Sequence, residues 1–440
     1  MSETQATTAS RRRFLSTGLA AGAAALTVDW RSRRAFAQAN ARVIGANDRI
    51  NMGFIGLGNM GLAHMGYFVK NADALNVAVT AVCDVFDKRR DLALERTENP
   101  AAKAYTDYRE LLADPNVDAV LVATPEHWHA QMFMDTMVAG KDLYLEKPLC
   151  LHFDDAKRCY DFYQNHTDRV FQLGNQNCSD PKWLRIHELL PTIGTLVWSQ
   201  NSYCRNTPTG EWNSRIDPDA NAQSVNWPLF LGTEYGLAPD RPWDAERFHR
   251  WRKYWDYSSG ISGDLLAHRI YAFLKAFYGN EAPPLPHRVT ANGGNYVQQD
   301  GREVPDTFLM TVDYDDHTIF LAGSTENELG VPPVIRGQMG VIEFTAEAGG
   351  RITVNPQRPF AEEFDPIVED APQVTAALHE PHRDNFIHCV RTRETPNSPM
   401  DLAYAGMVPL ALADVAYRQS TTVNIDTVTG EWLNRPATTK

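Results

Sequence analysis

Three glycines placed directly after a short apolar run constrain the fold of this chain more than any other feature. Residues 50–55 are typical of a buried strand, Gly56, Gly58 and Gly61 follow, and helical spacing of apolar residues then resumes. Gly56 permits a tight turn, Gly58 leaves the backbone open to close approach, and Gly61 lets helix and strand pack closely. This order predicts a βαβ unit with a pyrophosphate at the helix N-terminus, where free N–H groups and the helix dipole favour an anion.

An acid follows this turn at the distance expected for nucleotide binding. Asn59 and Met60 complete the predicted phosphate-binding turn, and a second strand, residues 76–83, ends at Asp84. A carboxylate about 20 residues beyond the turn accepts hydrogen bonds from ribose hydroxyls and repels a 2′-phosphate, which favours NAD. Residues 88–90 are all basic. They either form a solvated helix face or accommodate the extra phosphate of NADP. NADP therefore remains an alternative to NAD.

Strands and helices alternate through the rest of this region. Further apolar strands cover residues 119–123, 142–145 and 170–173, with helical segments at 88–96, 108–113 and 154–165. Such repeats predict an α/β fold with a doubly wound parallel sheet whose ligands lie at the carboxyl ends of the strands. Four features fall at such ends: Gly56, Asp84, Thr124-Pro125, and Glu146-Lys147-Pro148.

Lys147 is the residue of greatest chemical interest among these. Taken alone, the tripeptide Glu146-Lys147-Pro148 is typical of a charged turn after the edge of a sheet. At the end of a strand beside a nucleotide site, however, a lysine can face a cofactor on one side and a substrate on the other. Pro148 stops the strand and fixes the direction in which the chain leaves it.

The sequence changes character from Asn175 onward. Seven of the ten tryptophans lie between positions 183 and 255, and strand-like runs follow at 196–203, 287–297, 308–313, 318–323 and 340–344. Their alternation predicts an antiparallel sheet with one face buried and one facing a cleft. Core anchoring is the ordinary role of the tryptophans. Trp251 and Trp255 are the candidates for lining a pocket against the apolar face of a sugar.

A second chemically suggestive element is the stretch from Gly260 to His268. A helix can begin after Gly263, and Asp264 and His268, four residues apart, would then share one face. A carboxylate beside an imidazole raises its basicity and fixes its orientation, as a general base requires. A pair at this spacing is also common in purely structural helices, and the two readings stay open on spacing alone.

Together these motifs resemble the Gfo/Idh/MocA oxidoreductases in order and spacing. The matching residues are Gly56-x-Gly58-x-x-Gly61, Asp84, Thr124-Pro125 with His129, and Glu146-Lys147-Pro148. The resemblance runs from residue 51 to about 424. It implies a Rossmann NAD(P)-binding domain at 51–174 and an α+β substrate and oligomerisation domain with a large, open, mostly antiparallel sheet at 175–400. It also implies a C-terminal helix and tail at 401–440 that return to the Rossmann domain, and a homo-oligomer.

The same resemblance assigns roles. His268 would be the base, Asp264 its orienting partner, and Lys147 would hydrogen-bond the reacting oxygen of a sugar, glycoside or cyclitol. Glu146, Lys147 and His129 would join the glycine turn, Asp84 and Thr124-Pro125 at the cofactor. Tyr271 stands where the family often carries an acid and is a candidate substrate residue.

The sequence leaves two other functions as alternatives. Exported nicotinamide-dependent glycosidases on this scaffold act by transient oxidation and elimination and carry Tyr-x-x-His, whereas this chain has Leu265-Leu266-Ala267-His268. An inactive carbohydrate-binding protein is disfavoured because Lys147, Asp264 and His268 are all present.

The N-terminus resembles a twin-arginine export signal. Ser10-Arg11-Arg12-Arg13-Phe14-Leu15 precedes a mild apolar run, and Ala35-Phe36-Ala37 offers a cleavage site. A disordered basic N-terminus is the alternative. The resemblance implies a signal peptide at 1–37, cleavage near Ala37, passage through the twin-arginine machinery and a periplasmic enzyme. The apolar run is too short to span a bilayer, so no membrane insertion is expected in the mature form.

Export carries a consequence for the cofactor. Outside the cytoplasm no free nicotinamide pool is expected, so the dinucleotide would be bound tightly before export and recycled by a second sugar in ping-pong fashion. Residues 38–50 would form an arm over the cofactor or over a neighbouring subunit, or else a disordered tether.

Length, charge and cysteine spacing argue against some classes of partner and ligand. A chain of 440 residues suggests two domains, and a formal net charge of −13 without a basic run in its body argues against nucleic acid or an anionic membrane as partner. The six cysteines show no metal-ligand spacing and read as small buried apolar residues. We therefore expect no metal.

Overall fold

The computed structural model describes residues 48–374 and 377–436. The predicted signal peptide at 1–37 and all but the last three residues of the predicted arm at 38–50 lie outside these ranges. Within them no helix is long and apolar enough to cross a membrane, and no three His, Cys, Asp or Glu side chains cluster as metal ligands would. Five cysteines are buried and Cys204 is half-buried, all as free thiols.

The first sheet is parallel and has six strands. Its strands are β1 (Ile50–Ile55), β2 (Val77–Cys83), β3 (Lys103–Tyr105), β4 (Ala119–Val122), β5 (Asp142–Glu146) and β6 (Phe171–Gly174). Its helices are α1 (Asn59–Lys70), α2 (Ala72–Leu75), α3 (Asp87–Glu95), α4 (Tyr108–Ala113), α5 (His129–Val138) and α6 (Phe153–Tyr163). The strand order is β3-β2-β1-β4-β5-β6, which confirms the doubly wound sheet. The order reverses between β1 and β4, where such sheets bind ligands.

The second sheet has nine strands and is mostly antiparallel, as predicted. Its strands are β7 (Leu196–Cys204), β8 (Arg288–Gly294), β9 (Thr307–Asp313), β10 (Thr318–Ser324), β11 (Val334–Gly337), β12 (Gly340–Phe344), β13 (Arg351–Pro356), β14 (Ile367–Asp370) and β15 (Val423–Asn424). The order is β14-β13-β12-β11-β7-β10-β9-β8-β15, and β7 with β10 is a parallel pair. The sequence did not indicate β11, β13 and β14, which are short and border turns.

Further helices lie between β6 and β15 in the chain. They are α7 (Lys182–Leu189), α8 (Trp227–Leu231), α9 (Ala245–His249), α10 (Ala267–Tyr278), α11 (His379–Thr392) and α12 (Met400–Gln419). As expected, the C-terminal helix α12 packs against α6 of the first region, and it also contacts α10. Helix α11 was not predicted, although its residues Phe386 and Val390 belong to the same apolar core as β1. The Rossmann core therefore includes side chains from within the segment 175–400.

Candidate dinucleotide and catalytic site

The glycine turn has the geometry that its spacing predicts. Gly56 has φ +83°, and a Cβ on it would lie 2.7 Å from the Ala123 carbonyl oxygen. A Cβ on Gly61 would lie 1.9 Å from the Gly56 oxygen, so helix and turn touch there without a side chain. A Cβ on Gly58 would meet no atom within 4 Å. Gly58 therefore faces open space at the N-terminus of α1, where a phosphate would sit.

The remaining residues of the turn leave this helix start accessible. Asn59 and Met60 form the first turn of α1 and are exposed. No side chain caps the N-terminus of α1. The first N–H groups of the helix are thus available to an anionic ligand.

Asp84 braces the glycine turn at the end of β2. Its carboxylate accepts hydrogen bonds from the Leu57 N–H at 2.7 Å and from the Phe86 N–H at 2.8 Å. Burial raises the pKa of Asp84. The side chain also lines a cavity at the carboxyl ends of β1, β2 and β4. The role of Asp84 at a ribose stays a prediction. The hydrogen bonds show a second, structural role, which is to fix the turn.

The three basic residues after Asp84 have different environments. Lys88 pairs with Asp217 and Asp219, and Arg90 pairs with acids of its own helix. Arg89 lines the cavity and lies over the Phe86 and Phe248 rings at 5.7 and 5.2 Å. Of these three, Arg89 is therefore the candidate to meet a 2′-phosphate.

The same cavity collects several of the other predicted residues. It is lined by Gly56, Gly58, Asp84, Thr124, Pro125 and Trp251. Trp251, which we expected at a sugar, thus lines the cavity at the carboxyl ends of β1, β2 and β4.

His129 and Glu146 do not line this cavity and instead brace the strand ends. The His129 ring bridges the Pro148 and Thr124 carbonyl oxygens at 2.6 and 3.0 Å. Glu146 bonds the His64 ring at 2.8 Å. Burial alone would raise the pKa of Glu146, but the hydrogen bond and charge of His64 and the charge of Lys147 lower it to about 2. These two residues fix the ends of β4 and β5, and through them the position of Lys147.

Lys147 contacts Asp264 across the two sheets. The Lys147 Nζ donates to the Asp264 main-chain oxygen at 2.7 Å and to Asp264 Oδ1 at 2.8 Å. The two side chains are 11% and 12% exposed. Their pairing brings residues from opposite regions of the chain into one cluster, as the resemblance implied.

Two further side chains contact the Asp264 carboxylate, one by a hydrogen bond and one by an ion pair. Trp212 Nε1 donates to Oδ2 at 3.1 Å, and Arg252 Nε lies 3.2 Å from Oδ1. Burial would raise the pKa of Asp264, but the Lys147 and Arg252 charges hold it well below its usual range. Asp264 is therefore an ionised carboxylate that contacts a lysine, an arginine and a tryptophan.

The predicted pairing of Asp264 with His268 is not formed. Residues 262–266 are π-helical, and α10 begins only at Ala267, so a spacing of four does not align the two side chains as in an α-helix. The Asp264 oxygens bond Lys147 and Trp212 instead. Within residues 48–374 and 377–436, no side chain hydrogen-bonds the His268 ring. Asp264 thus orients Lys147 rather than His268.

His268 lies in a small cavity on the other side of this cluster. Its ring centroid is 5.5 Å from that of Tyr203, and Asn177 and His379 line the same cavity. Burial, then the Lys147 charge, lowers the pKa of His268 well below its ordinary value. A neutral imidazole can accept a proton, and the lowered pKa makes His268 a weaker base than a solvent-exposed histidine.

The start of α10 is held against the first sheet by buried polar contacts. Asn175 and Asn177, just after β6, donate to the Ala267 and His268 carbonyl oxygens at 3.0 Å. Buried Glu126, after β4, accepts from Ser258 Oγ at 2.7 Å. These contacts explain why Asp264 reaches Lys147.

Two of the predicted substrate residues lie elsewhere. Tyr271 is fully buried and donates its hydroxyl hydrogen to the Ala403 oxygen at 3.0 Å, within the packing of α10 on α12. Trp255 lines a separate cavity with Arg418, at 5.1 Å from its ring. Sequence reasoning missed Trp212, Arg252 and Tyr203, whose distant partners no local pattern reveals.

Comparison with known proteins agrees with this geometry. Residues 50–173 match the oxidoreductase family with an NAD-binding Rossmann fold named Gfo/Idh/MocA. An inositol 2-dehydrogenase/D-chiro-inositol 3-dehydrogenase of Lactiplantibacillus plantarum is 30% identical over 168 residues, 37% of this chain and 46% of that protein. An alpha-N-acetylgalactosaminidase of Shewanella oneidensis is 26% identical over 241 residues, 51% of this chain and 50% of that protein. The chain spans about half the length of these curated relatives.

Solved structures extend the likeness to both sheets. Levoglucosan dehydrogenase in complex with NADH and L-sorbose matches 87% of this chain and 100% of its own, with a TM-score of 0.64 and 15% identity. At that identity the match speaks for the fold. Residues 50–173 of this chain therefore match the NAD-binding Rossmann domain of the Gfo/Idh/MocA oxidoreductases, and both sheets share the fold of these solved structures.

Proposed function

We propose that the chain transfers a hydride between a nicotinamide dinucleotide and the hydroxyl or carbonyl carbon of a sugar, glycoside or cyclitol. The observation that carries the proposal is the buried contact between Lys147 Nζ and Asp264, one strand away from the dinucleotide cavity. His268 lies on the same helical segment as Asp264.

The residues present fit a dinucleotide. Gly58 would admit a pyrophosphate that any side chain would displace, and Asp84 lines the neighbouring cavity. When bound, the nicotinamide supplies the acceptor or donor of the hydride. NAD is favoured because Asp84 disfavours a 2′-phosphate, and the levoglucosan dehydrogenase relative was solved with NADH. Arg89 is the residue that would permit NADP.

The catalytic side chains have complementary roles in this proposal. The Lys147 ammonium has three donors, and two of them are taken by Asp264, so the third can reach a substrate oxygen. His268, neutral at pH 7, accepts the hydroxyl proton during oxidation and returns it during reduction. Asp264 holds the Lys147 ammonium in place. Each proton-transfer group of this kind contributes about 10²–10⁴-fold to a rate.

Export and tight binding belong to the same proposal. We infer passage through the twin-arginine machinery to the periplasm, a dinucleotide retained throughout, and regeneration by a second sugar. The test is the fluorescence of the purified protein, without added cofactor. Loss of signal with one sugar and its return with another supports the ping-pong redox reaction, whereas an unresponsive bound cofactor contradicts it.

A nicotinamide-dependent glycosidase is the second candidate. Its support is the similarity to the alpha-N-acetylgalactosaminidase and to proteins named glycosyl hydrolase family 109. Although Leu265 stands where the Tyr-x-x-His signature has tyrosine, Tyr203 brings a phenol from β7 to within 5.5 Å of the His268 ring, measured between centroids. Release of nitrophenol from nitrophenyl N-acetylgalactosaminide without added NAD would favour this candidate over the first.

A further inference from the structure

A second cavity adjoins the catalytic cluster. It has a volume of about 340 Å³, and its lining includes Thr209, Glu211, Trp212, His249, Arg250 and Arg252. Two of these residues, Trp212 and Arg252, contact the Asp264 carboxylate directly. The cavity therefore lies next to the ammonium group of Lys147, where a substrate oxygen would bind.

Two cations at this cavity share one carboxylate. Lys147 and Arg252 share the single carboxylate of Asp264, at 2.8 and 3.2 Å. Of the other charged lining residues, Glu211 pairs with Arg205 at 3.0 Å, and Arg250 pairs at 2.8 Å with Glu246, which Lys253 also contacts at 2.8 Å. Burial lowers the pKa of His249 to about 4, so its ring is neutral at pH 7. Among residues 48–374 and 377–436, Asp264 is the one carboxylate within 4 Å of Arg252, and Lys147 shares it. This arginine lies in a partly buried place, where an anion is attracted more strongly than in water.

Arg252 is arranged to receive that anion. Its Nε faces Asp264, whereas its two terminal nitrogens have no hydrogen-bond partner among residues 48–374 and 377–436. The guanidinium lies over the Trp251 ring at 4.1 Å, and the side chain is 37% exposed. Stacking on an indole fixes the plane of the group, and a planar guanidinium matches a carboxylate with two parallel hydrogen bonds.

We propose that this cavity binds the carboxylate of an acidic sugar, of the uronic or aldonic class, with Arg252 as its receptor. A carboxylate brings one negative charge beside the Asp264 carboxylate, whereas a phosphate monoester would bring about −1.5 to −2 and would be repelled more strongly. This inference rests on the proposed function, since it names the substrate class of the same site.

The test measures binding by titration calorimetry for three matched pairs: glucuronate and glucose, galacturonate and galactose, mannuronate and mannose. We expect at least one acid to bind about 10–100-fold more tightly than its neutral partner, the range for hydrogen bonds to a charged group. Arg252→Gln should abolish the preference and Arg252→Lys should keep part of it. Arg351→Gln, which removes an exposed arginine of β13, should keep all of it.

Several results would overturn the carboxylate site. They are equal binding within every pair, no binding of any acid, an undiminished preference in Arg252→Gln, or tighter binding of glucose 6-phosphate than of glucuronate. Circular dichroism of each variant verifies that it is folded. Acid binding without any redox change at the dinucleotide would refute the proposed function and leave this site standing. Turnover of neutral sugars without acid preference would do the reverse.

Discussion

Replacing Lys147 by methionine tests the proposed chemistry with little other change to the site. Methionine keeps the apolar stem and removes the ammonium, and with it the donors to the Asp264 oxygens. Asp264 still keeps Trp212 at 3.1 Å and Arg252 at 3.2 Å, so its carboxylate is not left alone. The stability loss should therefore fall below the 3–5 kcal/mol typical of an unpaired buried charge.

Turnover should respond far more strongly than stability. Losing one positioned proton donor costs about 10²–10⁴-fold in kcat, which corresponds to about 2.7–5.5 kcal/mol of barrier. Dinucleotide content should not change, because Lys147 does not line the cavity beside Gly58 and Asp84.

The assay follows the dinucleotide at 340 nm under saturating sugar, with nucleotide content and Tm measured on the same samples. Lys157→Met is the matched control, since Lys157 is a half-exposed residue of α6 whose ammonium pairs with Asp161 of the same helix. Wild-type turnover from Lys147→Met with its nucleotide in place would refute the role of the lysine.

Further expectations follow from the same geometry. Gly58→Ala should keep the wild-type Tm yet weaken NADH binding in a fluorescence titration, whereas Gly61→Ala should lower the Tm because its Cβ would overlap a backbone oxygen; the opposite pattern would contradict the assignment of the turn. Asp84→Ala should weaken NADH binding, and an unchanged Kd would mean that the ribose is held elsewhere. Burial lowers the pKa of His127 to about 3 and that of His382 to about 4. Below the unfolded pKa of about 6.5, the unfolded chain therefore binds more protons than the folded chain, and the free energy of unfolding decreases as the pH falls. Each should cost about 2 kcal/mol at pH 5, and identical urea midpoints at pH 7.5 and pH 5 would be inconsistent with this.

The first sheet was predictable because its signals are local. Strand, glycine turn and helix follow one another within about 20 residues around Gly56, and parallel strands bring their carboxyl ends to one edge whatever the later chain does. That rule alone located Asp84 and Lys147 correctly at strand ends.

The catalytic cluster was only partly predictable because its contacts are distant in sequence. Trp212 lies in a loop and Arg252 in the short 3-10 helix Trp251–Lys253, yet both contact the carboxylate that the sequence assigned to His268. The π-helical turn at 262–266 changes the alignment of Asp264 and His268, and no pattern in the sequence indicated it. Tyr271 was mistaken for a site residue because spacing on a helix does not reveal which neighbour covers it.

The most direct test of the account is the identity of the nucleotide released when the purified protein is denatured, determined by mass spectrometry and quantified against protein. The account predicts NAD or NADH, retained near one per chain. Protein that carries no nucleotide, and that binds neither NADH nor NADPH when these are added, would contradict it.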